Sequence, residues 1–122
     1  MSEKPVADRL QVKGERRLAV IDASAALEES IGAEKSRAEL ARADVVLLFT
    51  LDRARFDKKL PGVLKTMSRA AILWVAYPKL SSKFAGDLSR DIIHSLAPGY
   101  GLDTVGQIAI DVDWSALRLK RI

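Results

Sequence analysis

The sequence predicts an α/β protein: a single three-layer, Rossmann-like domain with a mainly parallel sheet and a C-terminal antiparallel hairpin. Two unbroken apolar runs, 45–49 and 70–77, have the length of strands, and about twenty residues of helical pattern separate them. Such runs are typical of parallel strands that helices cover on both faces. Near the C-terminus apolar and polar residues alternate instead, which is typical of strands with one buried face.

The first predicted strand is the apolar stretch 17–22. It follows an N-terminal segment, 1–16, that we expect to be loosely packed. Asp22 and Ser24 come directly after the strand, and their side-chain oxygens can accept hydrogen bonds from the free N–H groups of a helix. A helix over 25–31 is therefore predicted to follow.

The middle of the chain predicts the two buried strands and the helix between them. Before them, residues 33–43 fit either a helix or a short strand, and the sequence leaves this choice open. Asp52 follows the strand 45–49 and predicts a helix cap. The apolar stripe of the helix consists of Phe56, Leu60, Val63, Leu64 and Met67. Pro61 lies within this stripe and predicts a break or a kink.

The last third predicts a loop, a helix and the hairpin. Residues 79–84 are mainly polar and contain two serines, so they predict a loop. The buried face of the next helix is marked by Leu88, Ile92 and Leu96. The alternating segments 105–112 and 117–119 are close enough to pair as a hairpin at the sheet edge. Lysine and arginine in the second segment suit an edge strand, because they discourage pairing with a neighbouring molecule.

Composition excludes several kinds of site. The chain has 122 residues and no cysteine, which excludes disulfides, thiolate zinc sites, iron–sulfur clusters and thiol nucleophiles. His94 is the only histidine, so a site cannot use two imidazoles, and the sequence has no Gly-x-Ser-x-Gly elbow. The length and an apolar share of 48% predict one globular domain over 1–122.

Neither a membrane nor nucleic acid is the expected partner. The apolar runs are far shorter than the roughly 18 residues of a membrane span, and the charged N-terminus does not resemble a secretory signal, so we expect a cytoplasmic protein. The net charge is +4; residues 118–121 at the C-terminus are locally basic, and 53–69 is the longer basic stretch. No binding module and no exposed aromatic accompany that stretch, which favours a solvated helix face over a nucleic-acid surface.

Three segments carry a resemblance to a known family. They are 43–49, the Trp-Val-Ala-Tyr-Pro-Lys block at 74–79 and the Trp-Ser-Ala-Leu-Arg block at 114–118. These segments resemble a bacterial family known as domain of unknown function 3052, and the resemblance covers most of the chain from Ala43 onward. It implies a small Rossmann-like domain whose order of elements is similar to the later half of an S-adenosylmethionine-dependent methyltransferase. The family has no established activity.

Polar residues follow the ends of the predicted parallel strands, which is where open α/β sheets bind ligands. We expect one crevice there, lined by Asp22, Ser24, Thr50, Tyr77, Lys79, Ser82 and Lys83. Two ammonium groups and several hydroxyl donors suit a small anionic molecule. Pro78 holds Tyr77 extended, which is expected to aim its ring at the crevice. Helix capping explains part of this set without any ligand, so the crevice is a hypothesis.

Three further features have the residue types of possible sites. Asp87, Asp91 and His94 share one helix face, but surface contacts explain the spacing, and no metal site is expected. The loop 22–26 has no glycine with which to approach a dinucleotide or adenosylmethionine, so no cofactor is expected. Trp114 stands near the hairpin turn, where it either packs on the sheet or anchors an interface, and packing is favoured.

Three hypotheses of function follow. The first is a non-catalytic binding or regulatory module that recognises a small anionic ligand or a protein partner. The second is a degenerate methyltransferase-like enzyme that uses adenosylmethionine without the usual glycines. The third is a structural protein that forms a homodimer through the edge hairpin or Trp114. No motif specifies a reaction, so a binding module is favoured over an enzyme.

Overall fold

The computed structural model describes residues 5–122, which form a five-stranded sheet between two layers of helices. The strands are β1 (Leu18–Ile21), β2 (Val45–Phe49), β3 (Ile72–Pro78), β4 (Leu102–Ala109) and β5 (Trp114–Arg121). Their spatial order is β1-β2-β3-β5-β4. The first three are mutually parallel, and β5 is antiparallel to both β3 and β4. The predicted three-layer, Rossmann-like α/β class with a C-terminal hairpin is confirmed.

The helices are α1 (Val6–Arg9), α2 (Ala25–Ile31), α3 (Arg53–Thr66) and α4 (Arg90–Leu96). The first two cover one face of the sheet, and the last two cover the other. Successive residues of a strand point to opposite faces, so Leu47 packs with Leu27 of α2 while Leu48 packs on the side of Phe56 in α3. This double burial explains why the β2 sequence is apolar throughout.

Side-chain caps begin three of the helices. Ser24 accepts a hydrogen bond from the N–H of Leu27 at 3.2 Å, and Asp52 accepts one from Arg55 at 2.9 Å. Ser89 caps α4 in the same way. These bonds satisfy N–H groups that have no partner within the helix. The capping predicted after the first two strands is therefore confirmed for Ser24 and Asp52. It was wrong for Asp22, which does not cap α2 and instead lies 3.6 Å from the Lys59 ammonium.

The predicted break at Pro61 was wrong, since α3 runs without interruption from Arg53 to Thr66. Pro61 is exposed and removes only one backbone hydrogen bond. Phe56 and Leu60 are fully buried before it and Val63 is buried after it, so packing holds both halves of the helix against the sheet.

Residues 33–43 form neither the α-helix nor the strand that their sequence fits. They form two 3₁₀ turns, Glu34–Ser36 and Leu40–Arg42, with a single parallel bridge from Arg37 to Leu18 between them. The buried face of α4 also differs from the prediction, because Ile93 is fully buried whereas Ile92 is 36% exposed. Leu88 lies before the first residue of α4, so counting in steps of four from Leu88 pointed to Ile92 instead of Ile93 as the buried residue.

The hairpin pairs as predicted, but its second strand does not lie at the edge of the sheet. β5 is inserted between β3 and β4, so Arg118 and Lys120 belong to an interior strand and β4 forms the edge. Val112, assigned to the first strand, is 80% exposed in the turn that follows Ala109. The assignment of the basic residues to an edge was wrong because alternation in sequence does not reveal strand order.

The N-terminal segment is packed rather than loose over the residues that the structure describes; Met1–Lys4 lie outside them. Leu10 is fully buried, and Val6 and Val12 pack in the same cluster, on the face of the sheet that α1 and α2 cover. The indole N–H of Trp74 donates a hydrogen bond to the Leu10 carbonyl at 3.0 Å, which fixes the backbone of the N-terminal segment. Within residues 5–122, every helix is too short or too polar to cross a membrane.

Candidate ligand-binding site

The residues predicted to share one crevice lie near the carboxyl edge of the sheet, but they do not line one cavity. Asp22 and Ser24 line a cavity between α2 and α3, whereas Tyr77 and Lys79 line a second cavity beside the start of α4. The other three predicted residues, Thr50, Ser82 and Lys83, line neither of these two cavities. We call the first the aromatic cavity and the second the Tyr77 cavity.

The aromatic cavity has a volume of about 700 Å³, which is within the usual range for small-molecule sites. Its apolar wall consists of Phe49, Phe84 and Trp114. The rings of Phe49 and Trp114 meet edge to face with their centroids 5.3 Å apart, and the Phe84 ring lies 6.3 Å from that of Trp114. Phe84 is 43% exposed on the loop after β3, so it presents ring surface at the cavity mouth.

Three cations of α3 form a basic wall of the cavity. Arg55, Lys58 and Lys59 are three and four residues apart, so they share one helix face at the first turns after β2. Arg55 pairs with Asp52 at 2.7 Å, and the Lys59 ammonium lies 3.6 Å from the carboxylate of Asp22. Lys58 has no carboxylate partner among residues 5–122. Within the described part of the chain, its charge is the one in this wall without an opposite charge.

Two carboxylates at the hairpin turn complete the lining, and both are engaged. Asp111 accepts the backbone N–H groups of Asp113 and Trp114, each at 2.8 Å. The carboxylate of Asp113 accepts the hydroxyl of Ser82 at 2.9 Å, and the Ser82 oxygen accepts the N–H of Phe84 at 3.0 Å. Ser82 therefore connects the turn to the loop that carries Phe84, instead of facing the cavity as predicted.

The other predicted residues have identifiable roles near the aromatic cavity. Thr50 is fully buried and donates its hydroxyl to the Ala76 carbonyl at 2.8 Å, which joins the ends of β2 and β3. Lys83 holds its ammonium group 5.3 Å from the centroid of the Phe84 ring, a cation–π contact. Asp22 has a φ of 64°, a left-handed conformation in the loop where a dinucleotide site would carry glycine.

The Tyr77 cavity has a volume of about 730 Å³ and a more polar lining. Tyr77 is only 3% exposed, and its buried hydroxyl has no hydrogen-bond partner in the described chain. Burial raises the pKa of the Tyr77 phenol, and the nearby Arg90 charge opposes this. Ser115, its neighbour across the β3–β5 pair, also lowers that pKa through its hydroxyl, although the two oxygens do not meet in the geometry of a full hydrogen bond. Lys79 and Arg90 are the cations of this cavity.

The three residues considered for a metal ion do not form a site. Asp87 accepts the backbone N–H of Arg53 at 2.9 Å, while the His94 ring shares a 2.6 Å hydrogen bond with the Thr104 hydroxyl. Across residues 5–122, no three carboxylates or imidazoles converge as metal ligands. Trp114 is 8% exposed, so it packs within the domain, and the homodimer hypothesis loses it as an exposed anchor.

Sequence reasoning missed most of the aromatic cavity. Lys58 and Lys59 were attributed to a solvated helix face, and Phe49 to the core alone. The position of Lys58 and Lys59 in the chain was a signal for the cavity. The first turns of a helix that follows a parallel strand lie at the carboxyl edge of the sheet, where ligands bind. Phe84 had a similar signal, as an aromatic residue within a mainly polar loop after β3.

No protein-family model matches this chain, and no curated protein matches it. The resemblance to the family of domain of unknown function 3052 therefore stays a prediction. Solved structures do match in fold. LepI in complex with SAM is 10% identical with a TM-score of 0.52, over 96% of this chain and 39% of the other.

Two solved methyltransferases match in the same way. The riboflavin-derivative dimethyltransferase RosA from Streptomyces davawensis is 15% identical with a TM-score of 0.52, over 86% of this chain and 42% of the other. The mitomycin 7-O-methyltransferase MmcR is 12% identical with a TM-score of 0.52, over 88% and 42%. This chain spans about two fifths of the length of these proteins. At such identities the likeness shows a Rossmann-like, methyltransferase-like fold.

Proposed function

We propose that this domain is a binding module that holds a small molecule with a flat ring and an anionic group in the aromatic cavity. One observation carries the proposal: the aromatic wall of Phe49, Phe84 and Trp114 lines the same space of about 700 Å³ as Lys58, whose ammonium has no carboxylate partner among residues 5–122. A regulatory role without catalysis is favoured, because the lining contains no nucleophile and base in hydrogen-bond contact.

The aromatic wall favours a ring as one part of the ligand. Phe84 is the one large aromatic side chain of this wall with much of its surface exposed, and it is held in place through Ser82 and Lys83. A ring that stacks on Phe84 buries apolar area on both partners and gains about 0.5–1.5 kcal/mol beyond that burial. Small-molecule sites typically combine such a wall with a few polar groups that fix orientation.

Lys58 favours an anionic group as the other part, while the lining as a whole has no excess of positive charge. It carries three cations and three carboxylates; Asp22 faces Lys59, and Asp111 and Asp113 keep their charges at the hairpin turn, where they accept hydrogen bonds from uncharged groups. Lys58 has no carboxylate partner in the described chain, so an incoming anion can pair with it without breaking an existing ion pair. Since Lys58 is exposed, the pairing is worth only about 1 kcal/mol and depends on salt.

A thermal-shift panel tests the proposal. It contains ring-bearing anions, namely nucleoside monophosphates, flavin mononucleotide and aryl carboxylates, each with its ring-only and anion-only fragments. We expect at least one intact compound to raise the melting temperature more than both of its fragments. Lys58→Gln should weaken that compound about threefold to tenfold, whereas Lys65→Gln, on the same helix but outside the cavity, should not. Equal responses from intact compounds and fragments, or equal losses in the two variants, would remove the aromatic cavity as the site.

A methyltransferase-like enzyme is the second candidate, favoured by the fold and by a cavity at the carboxyl end of β1. The loop 22–26 does not fit adenosylmethionine in the usual way, because it has no glycine and Ala26 lines the cavity. Adenosylmethionine and adenosylhomocysteine belong in the same panel, and stabilisation by these two compounds alone would favour the enzyme over the binding module.

A further inference from the structure

The Tyr77 cavity contains a buried hydroxyl that the described residues pair poorly, because Ser115 is near it but not in full hydrogen-bond geometry. The phenol of Tyr77 is 3% exposed, and its oxygen has no hydrogen-bond partner within residues 5–122. Buried hydroxyl groups are nearly always paired, because an unpaired one loses its water without compensation. Tyr77 also lines a cavity of about 730 Å³, so a guest there lies beside the phenol and can bond to its oxygen once the side chains that cover it move aside.

The surroundings of Tyr77 are set by the strand register. Tyr77 lies opposite Ser115 on β5, and Ser115 lies opposite Ala109 on β4, so the three side chains share one face of the sheet. The small side chains of Ser115 and Ala109 leave space beside the phenol. Ser115 is 5% exposed and offers a second hydroxyl in the same row.

The charges around this space are mainly positive. Lys79 follows Tyr77 by two residues, and Arg90 at the start of α4 lies near enough to act on the phenol. Asp91 is the acidic residue of the lining, and it faces the Arg90 guanidinium at 3.5 Å on the exposed side. The cavity is thus lined by two cations, Lys79 and Arg90, by the Tyr77 phenol and by a single carboxylate.

We propose that the Tyr77 cavity is a second binding site, which takes a small oxyanion group such as a phosphate or a carboxylate. The phenol donates one hydrogen bond to an anion oxygen, and Lys79 and Arg90 neutralise the charge. The site is separate from the aromatic cavity, because none of the residues that line one lines the other. It therefore does not depend on the function proposed there.

Titration of the full chain with inorganic phosphate, followed by amide NMR shifts at constant ionic strength, tests the site. We expect saturable shifts at Tyr77, Lys79 and Arg90, and about tenfold weaker binding for Tyr77→Phe, since a hydrogen bond to a charged acceptor is worth about one decade of affinity. Tyr100→Phe is the matched control: it also removes a phenol hydroxyl, but one that donates to Asp57. It should bind phosphate as the wild type does.

The unliganded stability of the same variants gives an independent readout. Because the Tyr77 hydroxyl has no partner, Tyr77→Phe should melt at the wild-type temperature or above it, whereas Tyr100→Phe should melt lower. Acetate in place of phosphate distinguishes the two anion classes, and saturation by either supports the site. Shifts that sodium chloride reproduces, shifts that survive Tyr77→Phe unchanged, or a clearly lower melting temperature for Tyr77→Phe would each overturn the proposal.

Discussion

Substitutions at Asp22 separate a backbone effect from a charge effect at the rim of the aromatic cavity. Asp22 has a left-handed φ of 64°, and its carboxylate lies 3.6 Å from the Lys59 ammonium, with both side chains more than two fifths exposed. Alanine removes the charge and tolerates this backbone poorly. Asparagine removes the charge but tolerates the backbone well, and glycine adopts it freely.

The expected magnitudes follow from these two features. The exposed ion pair contributes at most about 0.5 kcal/mol, so Asp22→Asn should cost no more than that. A left-handed alanine costs about 1 kcal/mol more, which makes Asp22→Ala about 1.5 kcal/mol less stable than the wild type. Asp22→Gly relieves the backbone strain of the folded state, but glycine also gives the unfolded chain more conformational entropy. These two effects nearly cancel, so Asp22→Gly should be about as stable as Asp22→Asn. For a domain of this size, 1 kcal/mol corresponds to a melting shift of roughly 4 °C.

Urea unfolding followed by circular dichroism measures these differences directly. High salt should remove the difference between the wild type and Asp22→Asn, because it screens the exposed ion pair. The difference between Asp22→Asn and Asp22→Ala should persist, since salt does not act on backbone strain. If Asp22→Ala were as stable as Asp22→Asn, the left-handed conformation would carry no cost and the reasoning would fail.

Two further predictions concern single hydrogen bonds. The Tyr100 hydroxyl donates to Asp57 at 2.6 Å, so Tyr100→Phe should lose about 1 kcal/mol in urea unfolding at neutral pH. Burial and the Asp57 carboxylate raise the pKa of Tyr100 from 10.0 to about 12, so this contribution is complete below pH 10 and is lost as the pH rises to about 12, where the two proteins should converge. Trp74→Phe removes the hydrogen bond from the indole N–H to the Leu10 carbonyl, so it should lower the free energy of unfolding by about 1–2 kcal/mol. It should also speed proteolysis within the N-terminal segment. Unchanged cleavage would show that this bond does not hold the segment.

The fold was predictable because its strongest signals are local. The run Val45–Phe49 is apolar throughout, and the structure buries all five side chains between two layers of helices. Asp52 caps the following helix as its residue type and position predict. The segment 33–43 was not predictable, because its 3₁₀ turns are short and its one bridge to β1 is a tertiary contact.

The candidate site was predictable in place but not in composition. The carboxyl edge of the sheet does carry both cavities, as the parallel strands indicate. Thr50 and Ser82 were chosen for polar groups that the structure uses internally, one bonded to the Ala76 carbonyl and the other to Asp113. Residue type alone cannot distinguish a hydroxyl that faces a cavity from one that joins two segments of chain.

The division into two cavities follows from the register between β3 and β5. Tyr77 pairs with Ser115, and Pro78 pairs with Trp114. Consecutive residues of β5 point to opposite faces, so Trp114 forms the wall of the aromatic cavity while Ser115 stands beside the phenol in the other. A shift of one residue would exchange these faces and destroy both linings together. Asp111 holds the backbone of the turn directly before Trp114, so this one carboxylate helps to set the register on which both cavities depend.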